Sequence, residues 1–176
     1  MNGRILVGNH DGVYVIRFEG DVRVTISGSF DHYLETMFSD LNFVSAIVDL
    51  SPALAIDSTS LGVLAKLSIA MQERFNRVPT LVCNTPDILR ILQNMGFADV
   101  FAIVDEHFAA QQSLAELPLP SDLLENEVRE RVIEAHKVLM SLNEQNRETF
   151  KDLVSALEEE AKSRQGSSDD DSLSAG

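Results

Sequence analysis

A lone cysteine, Cys83, excludes an internal disulfide. It sits in the apolar run Thr80-Leu81-Val82-Cys83, where it reads as a small core hydrophobe of a strand. No apolar run reaches the roughly 18 residues that a membrane span needs. The N-terminus lacks a basic region followed by an apolar stretch, so no secretory signal is expected. Together these absences predict a cytoplasmic protein with no membrane contact. Basic residues are also scarce: 14 against 28 acidic ones, for a net charge of −14. The excess is even, with 14 acidic and 7 basic residues in each of the stretches 1–120 and 121–176. Neither stretch has a basic patch, and a phosphate backbone would repel such a surface, so nucleic-acid binding is disfavoured.

Catalytic equipment is equally thin. His10, His32, His107 and His136 are scattered, none near another or near Cys83 at metal-ligand spacing. There is no glycine-rich phosphate loop and no serine in a Gly-x-Ser-x-Gly setting. Neither a metal, a cofactor nor an enzymatic activity is expected.

What the chain does have is an alternation of strands and helices. Arg4–Val7 and Val13–Glu19 read as strands around the turn Asn9-His10-Asp11-Gly12, with Tyr14, Ile16 and Phe18 facing a core. Gly20-Asp21 is expected to end the second strand, and Val22–Ile26 is strand-like in composition. Ser29 offers a cap for a helix carrying Phe30, Tyr33, Leu34, Met37 and Phe38 on one face. Strands follow at Ala46–Leu50, Val78–Cys83 and Phe101–Val104. Between them lie a helix with Leu61, Leu64, Ala65, Ser68 and Ile69 inward, and a helix opened by Thr85-Pro86 and closed by Gly96. Glu106–Leu117 reads as a further helix. The order ββαβαβαβα implies parallel crossovers covered by helices, an α/β domain over residues 1–117.

Beyond Pro118-Leu119-Pro120, the pair Ser121-Asp122 caps a long helical pattern. Apolar residues recur at helical spacing from Leu124 to Leu142 and again from Phe150 to Ala161. A straight helix over this extension, 118–164, would run about 60 Å. It is either two helices broken near 143–146 or an extended arm; it can pack on its own domain, form a homodimer or meet a partner. Gln165–Gly176, rich in Gly, Ser and Asp, is expected to be disordered.

The chemistry that remains is concentrated between Ala46 and Leu64. An apolar strand leads through the turn or crossover Ser51–Ala55 to Asp57-Ser58-Thr59-Ser60, four capping-type residues before an apolar helical pattern. Such a run caps a helix, and that alone can explain it. A phosphate on Ser58 would nevertheless meet a helix N-terminus, which tolerates added negative charge.

The order of residues here resembles the signature of STAS domains, the fold of bacterial anti-sigma factor antagonists. Val48-Asp49-Leu50 followed by Ile56-Asp57-Ser58-Thr59-Ser60-Leu61-Gly62 is similar to the family's strand ending in Asp/Asn-Leu and its Asp-Ser-[Ser/Thr]-[Gly/Ala]-Leu-Gly. Gly20-Asp21-Val22 resembles its Gly-Glu-[Leu/Ile]. Thr85-Pro86 through Leu92, with Met95-Gly96-Phe97, resembles its Ser-Pro helix. The likeness covers about residues 3–116 and leaves the extension without counterpart. It implies a mixed β-sheet flanked by helices, here with a long C-terminal helical extension, and a non-catalytic role in partner switching. By that resemblance the domain binds an anti-sigma factor or a serine kinase or phosphatase regulator, controlling transcription. Ser58 would be the phosphorylated switch, and Asp57, Thr59, Ser60, Leu61, Gly62, Asp21 and Arg23 would form the docking face. Two positions depart from the pattern: Arg23 stands where the family carries Asp, and Ser60 where it carries Gly or Ala. The alternative is a structural STAS subunit of a lipid-transport or stress-signalling assembly, with Ser58 only a cap.

Overall fold

A computed structural model describes residues 2–23, 27–105, 113–118 and 124–170. The chain opens with a hairpin of β1 (Arg4–His10) and β2 (Val13–Val22). Asp11 and Gly12 both take left-handed backbone angles, φ 51° and 89°, which gives the two-residue turn whose twist matches paired strands. Helix α1 (Ser27–Phe38), β3 (Ser45–Asp49), β4 (Ala53–Ile56), α2 (Ser58–Phe75), β5 (Thr80–Val82) and α3 (Pro86–Asn94) follow. A short 3-10 turn at Phe97–Asp99 leads to β6 (Ala102–Val104), β7 (Ala115–Glu116), α4 (Glu125–Leu142) and α5 (Glu144–Asp170).

The sheet runs β6-β5-β3-β2-β1-β7, with β4 attached to the far end of β2. The pairs β2–β3, β3–β5, β5–β6 and β2–β4 are parallel, and β1 pairs antiparallel with β2 and β7. The sheet is therefore mixed and flanked by helices, as the strand–helix alternation implies. Along β2, Tyr14, Ile16, Phe18 and Val22 are buried while the odd positions are half-buried, the period of two of a pleated strand. They join Phe30, Leu34 and Met37 of α1 and Leu61, Leu64 and Met71 of α2 in one core.

Several expectations need correction. Gly20-Asp21 does not end β2. Gly20 takes φ 74° at a register shift, a bulge that lets the strand continue to Val22 and pair with β4. Ser51–Ala55 is not wholly a turn, because Ala53–Ile56 is β4, a four-residue strand whose only named partner is β2. Pro52 and two alanines hide it, and pairing to β2 creates it. Ser29 does not cap α1 but lies in its first turn. The expected helix at 106–117 falls outside the described residues up to 112, and beyond them Ala115–Glu116 is a strand against Leu6 and Val7. Helix-favouring Ala and Glu yield there to the open edge of β1. Residues 24–26 and the Ser121-Asp122 cap also lie outside the described residues; α4 begins at Glu125.

The extension is two helices broken at Asn143. Asn143 has extended backbone, and its Oδ1 accepts the Asn146 N–H at 2.8 Å, capping α5. Asn146, 2% exposed, donates through Nδ2 to the carbonyls of Met95 at 2.8 Å and Leu139 at 2.9 Å. The α4–α5 elbow is thereby tied to the end of α3, and the hairpin packs on its own domain. Helix α5 continues past Gln165 to Asp170, since extending a formed helix avoids the cost of nucleation; residues 171–176 lie outside the described set.

Asp49 explains the Asp-Leu at the end of the central strand. It is 3% exposed, pairs in register with Arg17 of β2, and accepts from Arg17 Nε at 3.0 Å and from the Ser51 N–H at 2.9 Å. Removing one partner of a buried pair strands the other charge. Asp49→Ala is expected to cost about 3 kcal/mol in urea unfolding, and the double variant Asp49→Leu/Arg17→Met to recover most of that loss. A silent single variant would show that the pair does not hold the strands.

Candidate functional site at the start of helix α2

The site is assembled where three chain segments meet. Val22 ends β2 beside Ile56, which ends β4, and the Asp57 N–H donates to the Val22 carbonyl at 3.0 Å. Asp57 has extended backbone, φ −84° and ψ 165°, and its Oδ1 accepts the Ser60 N–H at 2.8 Å. Asp57 is thus the N-cap of α2, and Ser58, Thr59 and Ser60 are its first turn. Only one of the four capping-type residues caps.

The buried face of α2 is wider than one stripe. Thr59, Ser60, Leu61, Gly62, Val63, Leu64, Ala65, Leu67, Ser68 and Met71 are all buried, because the sheet takes one side and α4 covers another. Gly62 is the point of closest approach: a Cβ there would lie 2.3 Å from the Ala135 carbonyl oxygen. Only glycine lets the two backbones meet so closely.

One residue along α4, His136 reaches Ser58. Its Nε2 lies 2.8 Å from Ser58 Oγ and its Nδ1 lies 2.6 Å from the Val132 carbonyl oxygen. A carbonyl only accepts, so Nδ1 carries the proton; in the neutral ring Nε2 is then the acceptor and the Ser58 hydroxyl donates. His136 is 2% exposed and stands edge-on to Phe150 of α5, ring centres 4.9 Å apart.

Charged groups surround this contact. Arg23 Nε donates to Asp21 Oδ2 at 2.8 Å, and Arg23 is held in its charged form by Asp21 first, with Asp57 adding to the effect. On the other side Lys66 Nζ lies 2.6 Å from Glu134 and 3.4 Å from Asp31, and Arg131 Nη1 lies 3.2 Å from Asp31. Burial raises the Asp31 carboxyl above its usual range and the Glu134 charge adds to this, against the opposing pull of Lys66 and Arg131. For Lys66 the burial penalty is outweighed by the Glu134 hydrogen bond and the two carboxylates, which raise it.

The structure brings Asp21, Arg23, Asp57 and Ser58 together at one end of the sheet. Thr59, Ser60, Leu61 and Gly62 are adjacent but not on the surface. Leu61, 1% exposed, belongs to the core, and Gly62 lies under α4. Ser60 Oγ is buried with no hydrogen-bond partner, which accounts for the small apolar residue usual at that position. Sequence reasoning missed Ala135, His136, Lys66, Asp31, Arg131 and Glu134 as neighbours of the site. Ser58 and His136 are 78 positions apart, and no local pattern marks such a pair. Among the described residues no cluster of His, Cys, Asp or Glu can hold a metal ion, and no helix is long and apolar enough to cross a membrane.

A mixed sheet with a capped helix starting at its strand ends, and a serine directly after the cap, defines an α/β fold. The STAS domain family matches residues 4–111, more than half of the chain, and the chain belongs to that family. Helices α4 and α5 lie beyond the match. Among solved structures, the chain is similar to an anti-sigma factor antagonist from Mycobacterium paratuberculosis, with a TM-score of 0.52 and 20% identity over 60% of this chain and 87% of that one. It is also similar to the anti-sigma factor antagonist SpoIIAA in its unphosphorylated form, with a TM-score of 0.49 and 14% identity over 59% of this chain and 89% of that one. At these identities the likeness is one of fold. No curated protein matches the chain.

Two substitutions separate the cap from the crossing. Asp57→Ala is expected to lower stability by about 1 kcal/mol through loss of the cap. Gly62→Val is expected to cost about 2 kcal/mol or more by forcing α2 and α4 apart. Chemical unfolding of both variants measures this; a Gly62→Val protein as stable as the parent would refute the close crossing.

Proposed function

We propose that this chain is a phosphorylation-controlled anti-sigma factor antagonist. It binds an anti-sigma factor, or a related serine kinase or phosphatase regulator, through the surface around the N-terminus of α2. Residues 1–117 are the binding domain and 118–164 a helical extension that can add a contact or a dimer surface. The protein works in the bacterial cytoplasm as a signalling component of transcription control, by binding rather than by catalysis and with no cofactor.

The observation that carries this reading is the position of Ser58, half-buried as the first residue of α2, directly after the cap Asp57 and within the part of the chain that matches the STAS family. A phosphate there adds close to two negative charges beside Asp57 and near Asp21, at the helix end that best tolerates them. The domain fold survives, while the surface offered to a partner becomes more acidic and loses a hydroxyl donor. Asp21, Arg23 and Asp57 shape that surface; Thr59, Ser60, Leu61 and Gly62 hold it in place from beneath.

A second reading rests on the His136 contact. A hydroxyl already satisfied by a buried histidine serves equally well in a fixed structural subunit of a lipid-transport or stress-signalling assembly. Intact mass spectrometry with site mapping, on protein taken from its own cells, separates the two. The switch predicts one phosphate on Ser58, absent from Ser58→Ala. It also predicts that Ser58→Ala retains the regulator in pull-downs and Ser58→Asp loses it. An unmodified Ser58, with both variants binding as the parent does, would leave the structural reading.

A further inference from the structure

The face of α2 that carries Ser58 is already occupied in this structure, and by a helix of the same chain. Ala135 seats its backbone against Gly62, and His136 Nε2 shares a hydrogen bond with the Ser58 hydroxyl. Leu139, one turn further, is fully buried in the core cluster, and Lys66 with Asp31, Arg131 and Glu134 closes one edge with charge pairs. The occupant comes from outside the family match, so the covered surface belongs to the common domain and the cover to the extension. The cover is imperfect: Arg131 Nε is buried on α4 without a hydrogen-bond partner.

We propose that the Ser58 face of α2 is a helix-docking surface, that α4 is its resident occupant, and that a partner docks with a helix that competes with α4. The competing helix would present a small residue to Gly62, since only a small side chain permits the close crossing. Beside it would stand a hydrogen-bonding side chain for Ser58, with an apolar residue a turn further on where Leu139 lies. The inference deepens the binding function proposed above and rests on it for the identity of the competitor. Phosphorylation falls under the same control. Ser58 Oγ has His136 Nε2 at 2.8 Å, and a phosphate does not fit between them, so this contact with α4 must break when Ser58 is modified.

Thiol labelling of the full chain tests this without a cellular partner. In a Cys83→Ala background, Ser58→Cys places one thiol under α4, and its reaction with a maleimide dye is timed. The covered thiol is expected to react at least tenfold more slowly than in the urea-unfolded chain. Ala135→Glu, which jams the crossing, is expected to raise the rate at least tenfold. Lys66→Glu/Arg131→Glu, which sets like charges against Glu134 and Asp31 at the accessible edge, should act in the same direction while sparing the core. Circular dichroism checks that both variants remain folded. A synthetic peptide of residues 125–142 is then expected to slow labelling of the opened protein, and the same peptide carrying Ala135→Glu to have no effect. Fast labelling of the parent, or no acceleration in either variant, would overturn the covering role of α4. Failure of the native peptide at millimolar concentration would overturn the helix-docking surface. Absence of phosphate on Ser58 in cells would overturn the switch and leave these results standing.

Discussion

The contact on which the molecule turns is the crossing of α2 and α4 at Gly62 and Ala135. Two helix backbones approach there as closely as a missing Cβ allows. Everything else about the extension follows from that proximity. It brings His136 onto Ser58, places Glu134 and Arg131 over Lys66 and Asp31, and buries Leu139 in the same core as the sheet. A helix that is buried nearly all round is then a consequence rather than an anomaly: α2 is enclosed between a sheet and a second helix.

This arrangement gives the family fold an additional layer. The STAS match ends at residue 111, and β1 to β6 with α1, α2 and α3 lie within it, while β7 lies just beyond. The α4–α5 hairpin is fastened from outside at two ends, by the Gly62 crossing and by Asn146 on the carbonyl of Met95. Such a hairpin covers part of the start of α2, where strand ends, the cap and the serine converge. The residues at the start of α2 are here a surface that binds the chain's own α4.

Much of the domain was legible because its signals are local. The Asp11-Gly12 turn, the alternation of Tyr14, Ile16 and Phe18, the Thr85-Pro86 helix start and the left-handed Gly96 each depend on neighbours a few residues away. The break at Asn143–Asn146 was legible for the same reason, since a cap is a short-range hydrogen bond. The strands β4 and β7 were not. Four and two residues long, they carry little pattern of their own and form because β2 and β1 present unpaired edges to them. The reading of Gly20-Asp21 as a strand end failed likewise, since a bulge is recognisable only against the partner strand it accommodates.

By itself the sequence determined the family, the strand and helix alternation, the position of Ser58 after a capping aspartate, and the presence of a helical extension. Those are properties of residue order within short windows. Only the tertiary structure decided that Asp57 alone caps, that Thr59, Ser60, Leu61 and Gly62 are buried, and that the extension packs against Ser58. The physical reason is separation along the chain. The Ser58–His136 bond spans 78 positions, and its geometry exists only once a glycine on one helix has let another helix come near.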